Sequence, residues 1–189
     1  MARITKEPEV RKQEILDAAM VLFYEKGYKK TSMTDIANKI GVAQGLCYRY
    51  FPSKEILFDC SIQEYAQRLA DKMKLILCDD SLTLKQKLEQ TPSYIDFEKE
   101  DSISYKLFHN ENSKRIHDQL SMKVCEVMVP VVAELFRKAN ENGEIHLPDP
   151  ETAASFAVYG QLGILLNEQI HSKEKIVRIK EFLKFILQV

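Results

Sequence analysis

Side chains suited to contacting DNA cluster in a short stretch of the sequence that begins at residue 44. The stretch and its flank supply an amide, two phenols, a guanidinium, an amino group and a glycine: Gln44, Gly45, Tyr48, Arg49, Tyr50 and Lys54. An amide can donate and accept together, as the edge of adenine requires, whereas cations and hydroxyls hold phosphates. The pattern indicates double-stranded DNA as a partner, although a plain helical bundle with a polar surface would show the same residues.

The reactive side chains elsewhere form no catalytic or metal-binding pattern. The four cysteines, at positions 47, 60, 78 and 125, lack the pairs two to four residues apart that zinc and redox sites use. His109 and His117 have no partner at a convincing metal spacing, and no nucleophile stands beside a base. We therefore expect no catalytic residue, no metal and no cofactor. A thiol-based redox sensor and an all-helical enzyme remain as alternatives.

Composition and charge define the class of protein. The chain has 189 residues, 45% hydrophobic and 29% charged, which is typical of a soluble globular protein. The longest apolar run, at 127–133, is too short for a membrane span, and the N-terminus lacks the apolar segment of a signal peptide, so we expect a cytoplasmic protein without a membrane partner. Residues 1–54 carry ten basic and six acidic side chains, a net charge of +4, against −5 for the remainder. A basic segment on an acidic body suits a nucleic-acid partner.

The elements around residue 44 have helical spacing. A first helix from Pro8 to Lys26 places an apolar stripe on one face and stops at Gly27. Ser32 and Asp35 have the spacing of a capping box at the start of a short second helix, which Gly41 ends. A third helix is predicted over 44–50 and a fourth from Lys54 to about Leu77. Two short helices joined by a tight turn on a longer helix predict a helix-turn-helix, whose second short helix enters the major groove.

The rest of the chain also predicts helices, so the fold class is all-α. We expect helices over 82–97, 102–109 and 113–140, the last bent at Pro130, then one from Pro150 to about His171, capped by Asp149, and a final helix capped by Ser172. The prediction is an N-terminal three-helix DNA-binding domain at 1–53 and a second, helical domain at 54–189.

Three segments resemble the DNA-binding region of the TetR family of transcriptional regulators. They are Ile15-Leu16-Asp17-Ala18-Ala19 to Lys26-Gly27-Tyr28, Thr31-Ser32-Met33-Thr34-Asp35-Ile36-Ala37 to Gly41-Val42, and Tyr48-Arg49-Tyr50-Phe51-Pro52-Ser53-Lys54-Glu55. The resemblance implies that Gln44 contacts a base edge. The full predicted DNA-contacting set is Ser32, Thr34, Gln44, Gly45, Leu46, Tyr48, Arg49, Tyr50 and Lys54.

Three residues of the third helix depart from the family pattern. Ala43 stands where a capping hydroxyl is frequent, which costs the helix about 1 kcal/mol of capping. Leu46 replaces a small hydroxyl residue and would make apolar contacts. Cys47 replaces an inward-facing leucine, and we interpret it as a small core residue rather than a thiol sensor.

The resemblance implies that the second domain dimerises and binds a small-molecule inducer. For the dimer contact, the last helices offer Phe156, Leu162, Gly163, Leu166, Ile179, Phe182 and Ile186; for the ligand, the central helices offer Phe97, Tyr105, Phe108, Met122, Cys125, Met128 and Tyr159. An ordinary intramolecular core is the alternative for both sets. The expected function is a homodimeric repressor released from a near-palindromic operator by a largely apolar inducer that could carry a positive group.

Overall fold

The computed structural model describes residues 6–91 and 114–189. Within these ranges the chain is all-helical, with nine helices and no strand, as the sequence predicts. They are α1 (Pro8–Lys26), α2 (Met33–Lys39), α3 (Gln44–Tyr50), α4 (Lys54–Leu77), α5 (Leu84–Gln90), α6 (Lys114–Glu141), α7 (Pro150–Tyr159), α8 (Leu162–Leu165) and α9 (Ser172–Leu187). Phe97, Tyr105, Phe108, His109 and the predicted helix at 102–109 lie outside the described residues.

The described residues form two compact units. The head unit contains residues 6–65 and 114–117, and the body unit contains residues 66–91 and 118–189. The division falls within α4, later in the chain than the domain boundary that we predicted after residue 53. No helix in the two described ranges is long and apolar enough to cross a membrane.

The core of the head unit is built on the apolar stripe of α1. Ile15, Ala19 and Phe23 of that stripe are fully buried. The ring of Phe23 lies edge-on to that of Phe58 in α4, with 5.1 Å between the centroids, and Tyr28 contacts both rings. Aromatic pairs of this geometry add to the stabilisation that burial provides. The core of the head unit is therefore formed by α1 and the start of α4.

In the body unit, the helix that we predicted from Pro150 to about His171 is broken. Asp149 caps its start, accepting a hydrogen bond of 3.0 Å from the Thr152 amide, as predicted. However, α7 ends at Tyr159, and only the short α8 follows. A Cβ atom on Gly160 would lie 2.5 Å from the Phe156 carbonyl oxygen, which is closer than real Cβ contacts allow. The break therefore depends on glycine at this position.

Three other boundaries also differ from prediction, and the first is the end of α5, which lies at Gln90 rather than at residue 97. The helix α5 begins at Leu84 rather than at residue 82, because the Thr83 side chain caps it by accepting a hydrogen bond from the Gln86 amide. His171 occupies the cap position of α9, so Ser172 is the first residue of that helix and not its cap. The predicted α6 is present and continues through Pro130.

Candidate functional site

The third helix presents a polar outer face and buries one residue. Cys47 is 0% exposed, whereas Gln44, Tyr48 and Arg49 are exposed. Within the described ranges these three exposed side chains make no hydrogen bond or ion pair. Gly45 is exposed as well, and Leu46 and Tyr50 are half-buried. The helix is thus held by its inner side, and its outer side chains are available to a partner.

The short helix α2 begins with the predicted capping box. The Ser32 hydroxyl accepts a hydrogen bond of 3.1 Å from the Asp35 amide, and the Ser32 amide donates to the Asp35 carboxylate at 2.9 Å. The Ser32 hydroxyl also donates to that carboxylate at 2.6 Å. These bonds favour the charged carboxylate, with help from Lys26 at 3.3 Å, and lower the pKa of Asp35 to about 2. Ser32 therefore organises α2, while Thr34 beside it is exposed.

Lys54, which we predicted to contact a DNA phosphate, makes hydrogen bonds within the protein. Its amino group donates to the carbonyl oxygens of Tyr28, at 2.9 Å, and Thr31, at 3.0 Å. The same nitrogen lies 4.3 Å from the centre of the Tyr28 ring, within the range of a cation–π contact. The first residue of α4 therefore fastens the segment that joins α1 to α2. An ammonium has three donors, so one remains beyond the two carbonyls.

Thr31 completes this arrangement, which we call the Lys54 clamp: Tyr28, Thr31 and Lys54. Thr31 is 2% exposed, and its hydroxyl lies 3.0 Å from the Leu22 carbonyl oxygen and 2.9 Å from that of Gly27. The hydroxyl thus satisfies backbone acceptors at the end of α1. Our sequence prediction did not include Thr31 or Tyr28. Both residues stand in the segments that resemble the TetR family, between Gly27, with φ of +80°, and the cap at Ser32.

The predictions for Ala43 and Cys47 agree with the structure. No side chain caps the start of α3, because Ala43 has no acceptor. Cys47 is a core residue, and burial raises the pKa of its thiol. Cys125 in the body unit is also buried, and its pKa is raised to about 11. Since the thiolate is the reactive form, these two cysteines are poor redox sensors.

The body unit contains a cavity of about 140 Å³ among α4, α5, α6, α7, α8 and α9. Its walls are mainly aliphatic, with Met73, Phe136 and Leu183 contributed by three different helices. Among the described residues of the lining, the polar or charged side chains other than the Cys125 thiol are Thr91, Gln161 and Lys180. The cavity is therefore an apolar space with few polar groups, which is the usual character of a small-molecule site.

Of the four described residues that we predicted to bind the ligand, two line the cavity and two do not. Cys125 and Met128 line the cavity, whereas Met122 and Tyr159 are exposed and lie outside its lining. Residues of α9 contribute to the wall, Ile179 and Leu183 among them, and our prediction for the ligand site included none of that helix. Ile179 and Leu183 belong to the same apolar stripe of α9 as Phe182 and Ile186, so the sequence alone does not show which part of the stripe faces the interior.

The residues predicted for the dimer contact lie mostly at the surface of the body unit. Phe156, Gly163, Phe182 and Ile186 are exposed, and Leu162 and Leu166 are half-buried. Ile179 is 7% exposed and lines the cavity, so it has little surface to offer a second chain. Phe185, which our prediction omitted, is 78% exposed.

Comparison with known proteins finds similarity concentrated in the head. Residues 15–59 match the model of the bacterial regulatory proteins of the tetR family. The HTH-type transcriptional repressor KstR2 of Rhodococcus jostii is 36% identical over 67 residues, which are 35% of this chain and 33% of that protein. The HTH-type transcriptional regulator YfiR of Bacillus subtilis is 28% identical over 181 residues, 92% of this chain and 87% of that protein. The chain spans less than half the length of the first curated relatives that it matches, 33–39% of each.

Solved structures share the fold along the chain. A Mesorhizobium loti protein assigned to the TetR family of transcriptional regulators superposes with a TM-score of 0.72 at 23% identity, covering 97% of this chain and 98% of that one. The head of this protein, residues 15–59, therefore matches the tetR family of bacterial regulatory proteins, and the chain shares the fold of the Mesorhizobium loti protein along its length.

Proposed function

We propose that this protein is a transcriptional repressor that binds a near-palindromic operator as a homodimer and leaves it when a small, largely apolar molecule binds. The observation that carries the proposal is the outer face of α3. Gln44, Tyr48 and Arg49 are exposed on a short helix whose inner side is buried, and they lack partners among the described residues. This is the arrangement needed for a helix that enters the major groove.

The apolar surface of the body unit supports the homodimer. Phe156 is 76% exposed, Phe182 58% and Phe185 78%. Large aromatic side chains are enriched where proteins associate. A second copy of the chain would cover them. Two heads related by a two-fold axis would then contact two similar half-sites, which makes the operator a near-palindrome.

The cavity in the body unit supports a small-molecule inducer. Its aliphatic wall favours an apolar ligand because burying apolar surface is the main driving force for binding there. An inducer acts if it binds more tightly to a state of the protein that has low operator affinity. The described part of the lining contains the amino group of Lys180, which disfavours the positively charged group that the acidic body suggested.

Selection of binding sites from a random duplex library tests the proposal. Full-length protein should enrich one half-site sequence in inverted orientation. The separation of the half-sites should be constant, because two heads held in one dimer have a fixed spacing. An enriched single half-site would contradict the homodimer, and a library without enrichment would contradict sequence-specific binding.

A further inference from the structure

The size of the body cavity limits its ligand, given the proposed function as an inducible repressor. The cavity volume is about 140 Å³. An engineered cavity of about 150 Å³ with a wall of leucine, isoleucine and phenylalanine holds one benzene molecule. Drug-sized ligands occupy pockets of about 300 Å³ or more. The space therefore accommodates one six-membered ring with a short substituent.

The polar groups of the wall specify what that substituent is. Three donors of the wall are already used on backbone carbonyls: the Thr91 hydroxyl on Lys87 at 2.6 Å, the Gln161 amide nitrogen on Ala157 at 2.7 Å, and the Lys180 amino group on Glu89 at 2.7 Å. The Gln161 amide oxygen has no partner in the described parts of the chain. An unpaired acceptor in an apolar wall selects a ligand that donates a hydrogen bond.

The position of Gln161 is fixed by the break between α7 and α8. Because the helix ends at Tyr159, the Ala157 carbonyl oxygen loses its usual helical partner, and the Gln161 side chain occupies it. The amide nitrogen is thereby held on the protein, which leaves the amide oxygen to face other groups. Gln161 is thus a positioned acceptor, and its orientation follows from the break that Gly160 permits.

Charge excludes the ionic members of this ligand class. A cation would lie in a space whose lining, among the described residues, includes the Lys180 ammonium and no acid. A carboxylate loses its hydration on entry and needs several donors in return, whereas the Thr91 hydroxyl has its one proton on Lys87 and the Lys180 ammonium is held at the Glu89 carbonyl oxygen. We propose that the cavity binds a neutral molecule with one six-membered ring and one hydroxyl or other hydrogen-bond donor, which donates to the Gln161 amide oxygen.

Four probes of similar size test this ligand class: toluene, benzyl alcohol, benzoate and benzylamine. Thermal stabilisation and calorimetry on the full-length protein give their affinities. Benzyl alcohol should bind about threefold to tenfold more tightly than toluene, the range that one hydrogen bond provides, and both ions should bind more weakly than toluene. Tighter binding of either ion, equal binding of toluene and benzyl alcohol, or no binding by any probe would overturn the proposal.

A variant locates the acceptor. Gln161→Met keeps the length of the side chain and should reduce benzyl alcohol binding to the level of toluene. Gln169→Met, at an exposed position outside the lining, is the matched control and should change neither affinity. If Gln161→Met does not fold, the ranking of the four probes on the unaltered protein still decides the question. Retention of the difference between benzyl alcohol and toluene in folded Gln161→Met would contradict the role of Gln161.

The ligand class and the proposed function can fail separately. Operator binding is measured in the same samples by fluorescence anisotropy with the selected duplex. If benzyl alcohol binds in the predicted order but leaves operator affinity unchanged, the ligand class stands and its role as an inducer falls. If the protein binds its operator but none of the probes, the repressor stands and the ligand class is wrong.

Discussion

Removal of the Lys54 amino group should destabilise the head unit, and Lys54→Met is the most direct test of the Lys54 clamp. The substitution keeps an unbranched side chain but removes both hydrogen bonds, of 2.9 and 3.0 Å, and the contact with the Tyr28 ring. Charged hydrogen bonds contribute about 1.5–3 kcal/mol each, and an exposed cation–π contact about 0.5–1 kcal/mol. Because Lys54 is only half-buried, the lower ends apply. We expect a loss of about 3.5 kcal/mol in the free energy of unfolding of the head unit.

Amide hydrogen exchange on full-length Lys54→Met measures the loss of stability separately for each helix. Protection should fall for the amides of α1 and α2 and remain unchanged in α9. Lys30→Met is the matched control, because Lys30 is exposed in the same connecting segment and has no partner among the described residues. It removes the same charge and should leave protection unchanged.

The salt dependence of DNA binding separates the clamp from a phosphate contact. A lysine that only neutralises a phosphate changes the slope of log affinity against log salt by about 0.9 and leaves the unfolding free energy unaltered. If Lys54→Met showed that behaviour, with protection in α1 and α2 equal to that of the unaltered protein, the clamp would be irrelevant to stability and our reasoning would be refuted.

Three further predictions follow from the head and body units. Gln44→Ala should cost about 1–3 kcal/mol per half-site on the selected operator, relax the preference at one base pair and leave thermal stability unchanged; an equal loss on random duplexes would contradict base contact. The pKa of Asp35 is about 2 against an ordinary 3.8. As the pH falls, the Asp35 carboxylate is therefore protonated in the unfolded chain before it is protonated in the folded protein. The stability due to the capping box is then complete above about pH 5 and lost as the pH falls towards 2, and acid titration of unfolding should show a smaller loss for Asp35→Asn. Phe156→Glu combined with Phe182→Glu should give folded monomers in sedimentation experiments, because both side chains are exposed, and a stable dimer would exclude this surface.

The sequence predicted most of the head because its determinants are local. Helix bounds from Pro8 to Leu77 follow from apolar periodicity, the capping box at Ser32 and the glycines at 27 and 41, which have φ of +80° and +67°. These signals act within a few residues of each other, so no knowledge of packing is needed. The burial of Cys47 could be predicted in the same way from its position on α3.

The features that the sequence did not predict depend on contacts between distant residues. The charge of Lys54 indicated a phosphate, but its actual partners are carbonyls of residues 28 and 31, brought close only by folding. The break after Tyr159 interrupts a regular apolar pattern at a single glycine, which helices often tolerate. Ile179 and Phe182 belong to one apolar stripe in the sequence, yet one is buried and the other exposed. Packing alone decides between them.

In the head unit, different residues stabilise the fold and face outward from α3, and this separation affects how the preferred DNA sequence can change. Stability depends on residues that face inward, such as Thr31 and Cys47, while Gln44, Tyr48 and Arg49 have no described internal partner. Substitution of these outer residues therefore costs the fold little. New operator preferences can accumulate on α3 by single mutations without compensating changes elsewhere, and the same property makes this helix a tolerant scaffold for engineered DNA specificity.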